Sequence, residues 1–153
     1  MGFFDKLTGT RYPDSDVVLL SAMELWTALL ALNGLDVRFR VRNALPKEKA
    51  DLVAECRIRE VGVALKTRMR LNPEKHEVRF LDERWEHRSS DHGDAQYGRG
   101  HAPAMYRQWE TKQGPDGRRR KVETFCFDTR EMTDPLRNVV LGAGWTWRGV
   151  LKL

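Results

Sequence analysis

Polar and apolar residues alternate with a period of two over most of the chain after Gly34. From position 37 to 42, the odd positions are apolar and the even positions are arginines. This pattern is typical of a strand with one buried and one solvated face. The same period recurs over 50–60, 61–71 and 76–88, and its phase shifts near Gly62. We therefore expect four strands, with a bend or bulge at Gly62.

A long helix is expected over 15–33, because its apolar residues recur at helical spacing and Gly34 can end it in the left-handed conformation. Asp14 or Ser15 would cap its first amides. The apolar residues cover far more than one stripe, so most of the helix surface must be buried. A curved sheet around the helix would bury it, and so would the second subunit of a homodimer.

The second half of the chain predicts a hairpin. The sequence GPDG at 114–117 is typical of a tight turn. If Gly114 lies opposite Gly117, Trp109 lies opposite Val122, which is a favourable cross-strand pair.

A short helix and a final strand are expected after the hairpin. Thr133 or Asp134 would cap the helix, with Pro135 at its first position and Gly142 at its end. The last nine residues, 145–153, begin with two tryptophans separated by one residue and are expected to form a strand.

Together these elements predict an α+β fold. A long N-terminal apolar helix would pack in a curved, mostly antiparallel sheet of about six or seven strands, because the connections are too short for crossover helices. The sheet would form a roll or a partly closed barrel. We expect one domain over 1–153, with 1–13 loosely ordered and 89–103 forming a long flexible loop.

Composition narrows the class of protein. The chain has 153 residues, a net charge of +5 and 41% hydrophobic residues, which indicates a basic globular protein. Cys56 and Cys126 form neither a CxxC pair nor a zinc-site spacing, so we expect a reducing, cytoplasmic location. The apolar run 17–32 contains Glu24 and is too short to span a bilayer, so no transmembrane segment is expected.

The expected loop at 89–103 contains imidazole and carboxylate groups of the kind that bind metal ions. The metal-ligand candidates are His92, Asp94 and His101, but their spacing matches no standard metal motif. Glycines between them leave the backbone loose, which raises the entropic cost of holding ligands in place. We therefore expect a lid, a docking loop or a solvated connection here, without a metal or a cofactor.

Asp82, Glu86 and His87 are the candidate catalytic acids and bases. In a strand, Asp82 and Glu86 share one face, which would suit an acid–base pair. The alternative is that these groups pair with arginines on neighbouring strands. The chain contains no complete catalytic motif, which favours a protein that is not an enzyme.

Arginines are the candidate anion-binding groups, because their forked guanidinium matches phosphate and carboxylate. They are Arg38, Arg40, Arg42, Arg68 and Arg70 on the strands, and Arg118, Arg119 and Arg120 beside the hairpin turn. The partner would then be an anionic macromolecule. The alternative is a solvated face of paired charges, because RNA-binding sheets add exposed aromatic residues and none alternates with these arginines in the sequence.

The tryptophans are candidates for lining an interior pocket that takes a small apolar ligand. They are Trp26, Trp85, Trp109, Trp145 and Trp147. The alternative is that they simply fill the core.

These patterns favour a non-catalytic binding module, which would use either the basic strand face and hairpin turn or the tryptophan-lined pocket. One alternative is a small α+β enzyme with its acid and base near Asp82–His87. The other is a structural subunit of a homodimer.

Overall fold

The computed structural model describes residues 2–87 and 96–153. The helices within these ranges are α1 (Phe3–Thr8), α2 (Ala22–Ala31) and α3 (Arg130–Gly142). The strands are β1 (Arg40–Asn43), β2 (Leu52–Ile58), β3 (Val63–Asn72), β4 (Glu77–Glu86), β5 (Gln96–Arg99), β6 (Met105–Gln113), β7 (Arg119–Asp128) and β8 (Thr146–Gly149). The prediction of an α+β fold with a mostly antiparallel sheet is confirmed.

Six strands form one sheet, in which β1, β2, β3 and β4 pair in sequence order and antiparallel. The far edge of β4 carries β5 antiparallel along one half and β8 parallel along the other. The described strands leave this sheet open, so the barrel considered from the sequence is not closed. Strands β6 and β7 form a separate two-stranded sheet.

The expected long helix over 15–33 is wrong, because α2 covers only Ala22–Ala31 and is followed by one turn of 3-10 helix, Leu32–Gly34. Ser21 has an extended backbone, its side chain accepts the amide of Glu24, and Glu24 bonds back to the amide of Ser21. This capping box fixes the start of the helix. The preceding apolar residues leave the helix path, and Leu20 bonds through its amide to Ala143.

The bend predicted near Gly62 is confirmed. One turn of 3-10 helix, Arg59–Val61, separates β2 from β3, and Gly62 follows it with a φ of 64°. Such a left-handed conformation favours glycine because it has no Cβ to clash.

The hairpin has a register different from the predicted one, with Trp109 opposite Glu123 and a bulge between Gln108 and Trp109. Gly114 lies opposite Arg118, whose carbonyl accepts the Gly114 amide at 2.9 Å, while the predicted tight turn is present, with the Gly117 amide donating to the Gly114 carbonyl at 3.0 Å. Gly117 has a φ of 77°, which is typical of a three-residue hairpin loop with a glycine bulge.

Three other boundaries differ from the prediction. Helix α3 begins at Arg130, so Pro135 lies inside the helix and not at its first position. Residues 96–99, expected to belong to a long loop, form β5, while 89–95 lies outside the described residues. The final strand is limited to Thr146–Gly149.

One face of the six-stranded sheet packs against α2 and α3 and forms the core. Leu25 and Leu29 of α2 and Leu136 and Val140 of α3 are fully buried there. Trp147 stacks on Phe80, with ring centroids 4.1 Å apart and planes 11° apart. None of the helices in the described ranges combines the length and the apolar character that a membrane span requires. The opposite face of the sheet, called the outer face below, carries the polar strand positions.

Candidate functional site

The strand register places the alternating arginines on the outer face together. Arg57 lies in one cross-strand row with Ala64, Trp85 and Tyr97. The row at the other end of the face joins three arginines, which are Arg70, Arg79 and Arg148. These rows are about 20 Å apart, because six residues of β3 separate them at about 3.4 Å each.

Positive charge exceeds negative charge on the outer face among the described residues. The cations are Arg40, Arg42, Arg57, Lys66, Arg68, Arg70, Arg79, Arg99 and Arg148. The carboxylates are those of Glu55, Glu77 and Glu83 on the strands, and Glu48 on the one-turn 3-10 helix Pro46–Glu48 that lies against this face. Nine cations against four carboxylates leave the face strongly basic.

Glu48 holds the middle of this surface together. Its carboxylate accepts both terminal nitrogens of Arg42, at 2.8 and 2.9 Å, the amine of Lys66 at 2.9 Å and the amide of Leu45 at 2.7 Å. Arg42 also donates to Glu55 at 3.1 Å. The hydrogen bonds from Arg42 hold the pKa of Glu48 far below its usual range, although burial opposes this effect. The hydrogen bond to Glu48 likewise raises the pKa of Arg42.

Three cations of the outer face are free for a ligand as far as the described residues extend. Arg40, Arg57 and Arg70 are exposed, and no described carboxylate lies within 4.0 Å of their guanidinium nitrogens. They belong to three different rows, so they are spread over the surface.

The row of Arg70, Arg79 and Arg148 carries more positive charge than the one carboxylate beside it, that of Glu77, can neutralise. Glu77 is buried and accepts Arg79 at 2.9 Å and Arg148 at 2.7 Å. Burial acts to raise the pKa of Glu77, but the bonds from Arg148 and Arg79 outweigh it and lower that pKa. One carboxylate thus serves two of the row's three guanidinium groups, and Arg70 remains.

Aromatic side chains do lie among the arginines, contrary to the expectation from the sequence. Trp85 and Tyr97 are neighbours on the outer face, with ring centroids 5.4 Å apart, and Tyr97 is 43% exposed. The Lys66 ammonium lies 5.9 Å from the Trp85 ring and the Arg99 guanidinium lies 5.8 Å from the Tyr97 ring. The face therefore combines planar surfaces with cations beside them.

Asp82 lies on the core side of the sheet, in a narrow cleft near the start of α3. It accepts the buried Thr67 hydroxyl at 2.6 Å, and its second oxygen is 3.7 Å from Nδ1 of His101. This carboxylate–imidazole pair could move a proton, but the cleft encloses a free volume of about 40 Å³. That is far below the roughly 300–1,000 Å³ of small-molecule sites.

The other acid–base and metal candidates do not join this pair. Glu86 shares the core-side face with Asp82, as predicted, but its carboxylate accepts the Tyr106 hydroxyl at 2.8 Å. His87 is exposed at the end of β4. The metal candidates His92 and Asp94 lie outside the described residues. Within those residues, no group of three or more His, Cys, Asp or Glu side chains is arranged to hold a metal ion.

The five tryptophans occupy separate places. Trp145 and Trp147 are fully buried in the core, and the Trp145 indole donates to the Leu20 carbonyl at 2.8 Å. Trp26 is half-buried and donates to Asn43 at 3.0 Å. Trp85 lies on the outer face, and Trp109 is half-exposed on β6. The described structure brings no three of them together around one cavity.

The remaining anion-binding candidates lie away from the outer face. Arg38 precedes β1, lies 3.7 Å from Glu60 and covers the Phe125 ring at 5.1 Å. Arg118, Arg119 and Arg120 are exposed at the hairpin turn. Arg120 pairs with Asp116 at 2.9 Å.

No protein-family model, curated protein or solved structure matches the chain.

Proposed function

We propose that the protein is a non-catalytic binding module that takes single-stranded nucleic acid on the outer face of its six-stranded sheet. The observation that carries this proposal is the joint position of Trp85 and Tyr97 with the surplus cations. Proteins that bind single strands without reading sequence combine a basic track for the backbone with aromatic rings on which bases stack.

The charge pattern supports a polyanion in particular. Phosphates repeat along a nucleic acid, so they need cations at several points and not one deep pocket. Arg40, Arg57 and Arg70 are spread over about 20 Å of the face and are exposed. Release of counterions from the phosphates would then drive binding. The slope of the logarithm of the dissociation constant against the logarithm of the salt concentration would be about 0.7 per contacted phosphate of a single strand.

The aromatic pair supports a single strand over a duplex. A duplex hides its base faces, whereas an unpaired base can stack on a ring. Tyr97 is anchored for this purpose, because its hydroxyl donates to Glu83 and accepts from Arg99 at 3.2 Å. A ring held at its outer end loses little further freedom when a base stacks on it.

The outer face is a better basis for function than the two other surfaces considered. The cleft at Asp82 and His101 has a free volume of about 40 Å³, which is too small for a substrate. Trp145 and Trp147 have no exposed surface, because core side chains already fill the space around them. A ligand-binding pocket at these tryptophans would require the core to open.

Fluorescence anisotropy with a labelled 15-nucleotide oligo-dT at 50 mM salt tests the proposal. The single strand should bind, and a blunt duplex of the same length should bind more weakly. Tyr97→Ala should cost about 1–3 kcal/mol of binding free energy, the usual worth of one stacked base. Tyr97→Phe keeps the ring and should retain most of the affinity. Absence of single-strand binding would overturn the proposal, and so would equal affinity of the wild type and Tyr97→Ala.

A further inference from the structure

Strands β6 and β7 form a hairpin, called the arm below, that is exposed on both sides for most of its length. Its nine-residue first strand is about 30 Å long at about 3.4 Å per residue. Among the described residues, only its base is anchored to the rest of the protein: the Tyr106 hydroxyl bonds to Glu86, Phe125 packs under Arg38, and Phe127 is buried. A two-stranded hairpin is marginally stable by itself in water, so this arm gains most from a bound partner.

The outer part of the arm is basic and carries one large ring. Its cations are Lys112, Arg118, Arg119, Arg120 and Lys121, and its acids are Glu110, Asp116 and Glu123. Of these acids, Asp116 pairs with Arg120. Trp109 lies along the arm and is 50% exposed. Cations and an exposed indole are the same two components that the outer face offers.

A strand of another protein is a poor partner for the arm. Both of its free edges carry Lys or Arg side chains, and a bulge interrupts the ladder between Gln108 and Trp109. Charged edges and bulges are the devices by which sheets avoid pairing with foreign strands. A phosphate backbone, by contrast, is attracted by the same cations.

The base of the arm lies at the aromatic end of the sheet. Tyr106 bonds to Glu86, which follows Trp85 in β4 and so lies at the same end of the sheet, but on its core-side face. On the neighbouring strands, Phe125 of the arm packs under Arg38, and β6 contacts the 3-10 turn Arg59–Val61, which closely follows Arg57. A strand that leaves the outer face beyond Trp85 and Tyr97 would therefore reach the base of the arm by passing around this end of the sheet.

We propose that the arm is the second part of a bipartite site for one single strand, continuing the track beyond the outer face. This inference rests on the proposed function. A short oligonucleotide would occupy the outer face alone, and a longer one would also contact Trp109 and the cations of the arm. Affinity should then rise in two steps as the oligonucleotide lengthens.

The test compares oligo-dT of about 6 nucleotides, within the roughly 4–16 nucleotides that one single-strand-binding domain covers, with oligo-dT of about 20 nucleotides, which exceeds that range. The arm variant carries Arg118→Gln, Arg119→Gln and Lys121→Gln. The control variant removes three exposed cations that belong to neither surface, and carries Lys6→Gln, Arg11→Gln and Lys75→Gln. Equal melting temperatures would show that all three proteins are folded alike.

The arm variant should bind the short strand like the wild type. It should bind the long strand about 10- to 100-fold more weakly at 0.1 M salt, with a salt slope lower by about 2, as expected for three lost phosphate contacts. The control variant should behave like the wild type on both strands. The inference fails if the long strand binds the arm variant normally, or if both strands weaken equally. If the wild type binds neither strand, the proposed function itself is wrong.

Discussion

Replacing Glu48 with Gln removes one buried negative charge and nearly preserves the shape of the side chain. In the wild type this carboxylate is 6% exposed and accepts four hydrogen bonds, three of them from the cations Arg42 and Lys66. The amide of Gln would place N–H donors against those cations. The variant therefore loses charge-assisted bonds and gains a donor–donor contact.

We expect the substitution to lower the free energy of unfolding by about 2–3 kcal/mol. A hydrogen bond to a charged group contributes about 1.5–3 kcal/mol, and breaking a buried ion pair on one side costs up to about 5 kcal/mol. The lower part of this range applies here, because Arg42 and Lys66 are 29% and 25% exposed and water can rehydrate them. Arg42 also keeps its second partner, Glu55.

The pH dependence of this stability difference shows whether the negative charge of Glu48 causes it. The pKa of Glu48 is lower in the folded protein than the ordinary value of 4.5, so its contribution is complete above pH 4.5. It is lost as the pH falls from 4.5 toward the depressed pKa of the folded state. The stability difference between wild type and Glu48→Gln should therefore be full at pH 7 and shrink steadily below pH 4.5.

Urea unfolding followed by tryptophan fluorescence at pH 7, 4.5 and 3, at constant ionic strength, measures this difference. Glu74→Gln is the matched control, since Glu74 is an exposed carboxylate in the turn between β3 and β4. It should change stability by less than about 0.5 kcal/mol. If Glu48→Gln does not lower the free energy of unfolding at pH 7, or lowers it equally at pH 7 and pH 3, the negative charge of Glu48 does not stabilise the fold as argued.

Two further substitutions test the packing. Trp147→Ala removes the ring that stacks on Phe80 and should cost about 3–5 kcal/mol in chemical unfolding; a cost below 1 kcal/mol would contradict full burial. Gly149→Ala places a Cβ against the backbone carbonyl of Thr8 and should lower the melting temperature. In contrast, Gly142→Ala meets no atom within 4 Å and should leave it unchanged or raise it, so equal effects of the two glycine variants would be inconsistent with this contact.

The strands of the central sheet could be predicted from the sequence. In a half-buried strand, alternate residues face the core and the solvent, so apolar and polar residues alternate along the sequence. The long helix could not be predicted correctly in the same way. Apolar residues before Ser21 fit a helical period, yet the capping box of Ser21 and Glu24 starts the helix later. This motif is visible in the sequence, so the local signal existed and the apolar run obscured it.

The candidate site could be predicted only in part. The alternation of side chains between the two faces of a strand placed Arg40 and Arg42 on a solvated face. This alternation alone does not say which strands are neighbours. Tyr97 reaches Trp85 only because 96–99 pairs with β4, and this glycine-containing stretch lacks the apolar pattern of a strand. The buried position of Glu48 could not be predicted from the residues around it in the sequence, because a carboxylate is buried only where other elements bring cations to it.

The salt dependence of single-strand binding tests the central claim most directly. The face variant carries Arg40→Gln, Arg57→Gln and Arg70→Gln, and it is compared with the wild type and with the control variant of equal charge. With the 15-nucleotide oligo-dT, the plot of log Kd against log salt should be shallower for the face variant by about 2, from three contacts worth about 0.7 each. The control variant should keep the wild-type slope. Equal slopes for the face variant and the wild type would show that the outer face does not bind the strand.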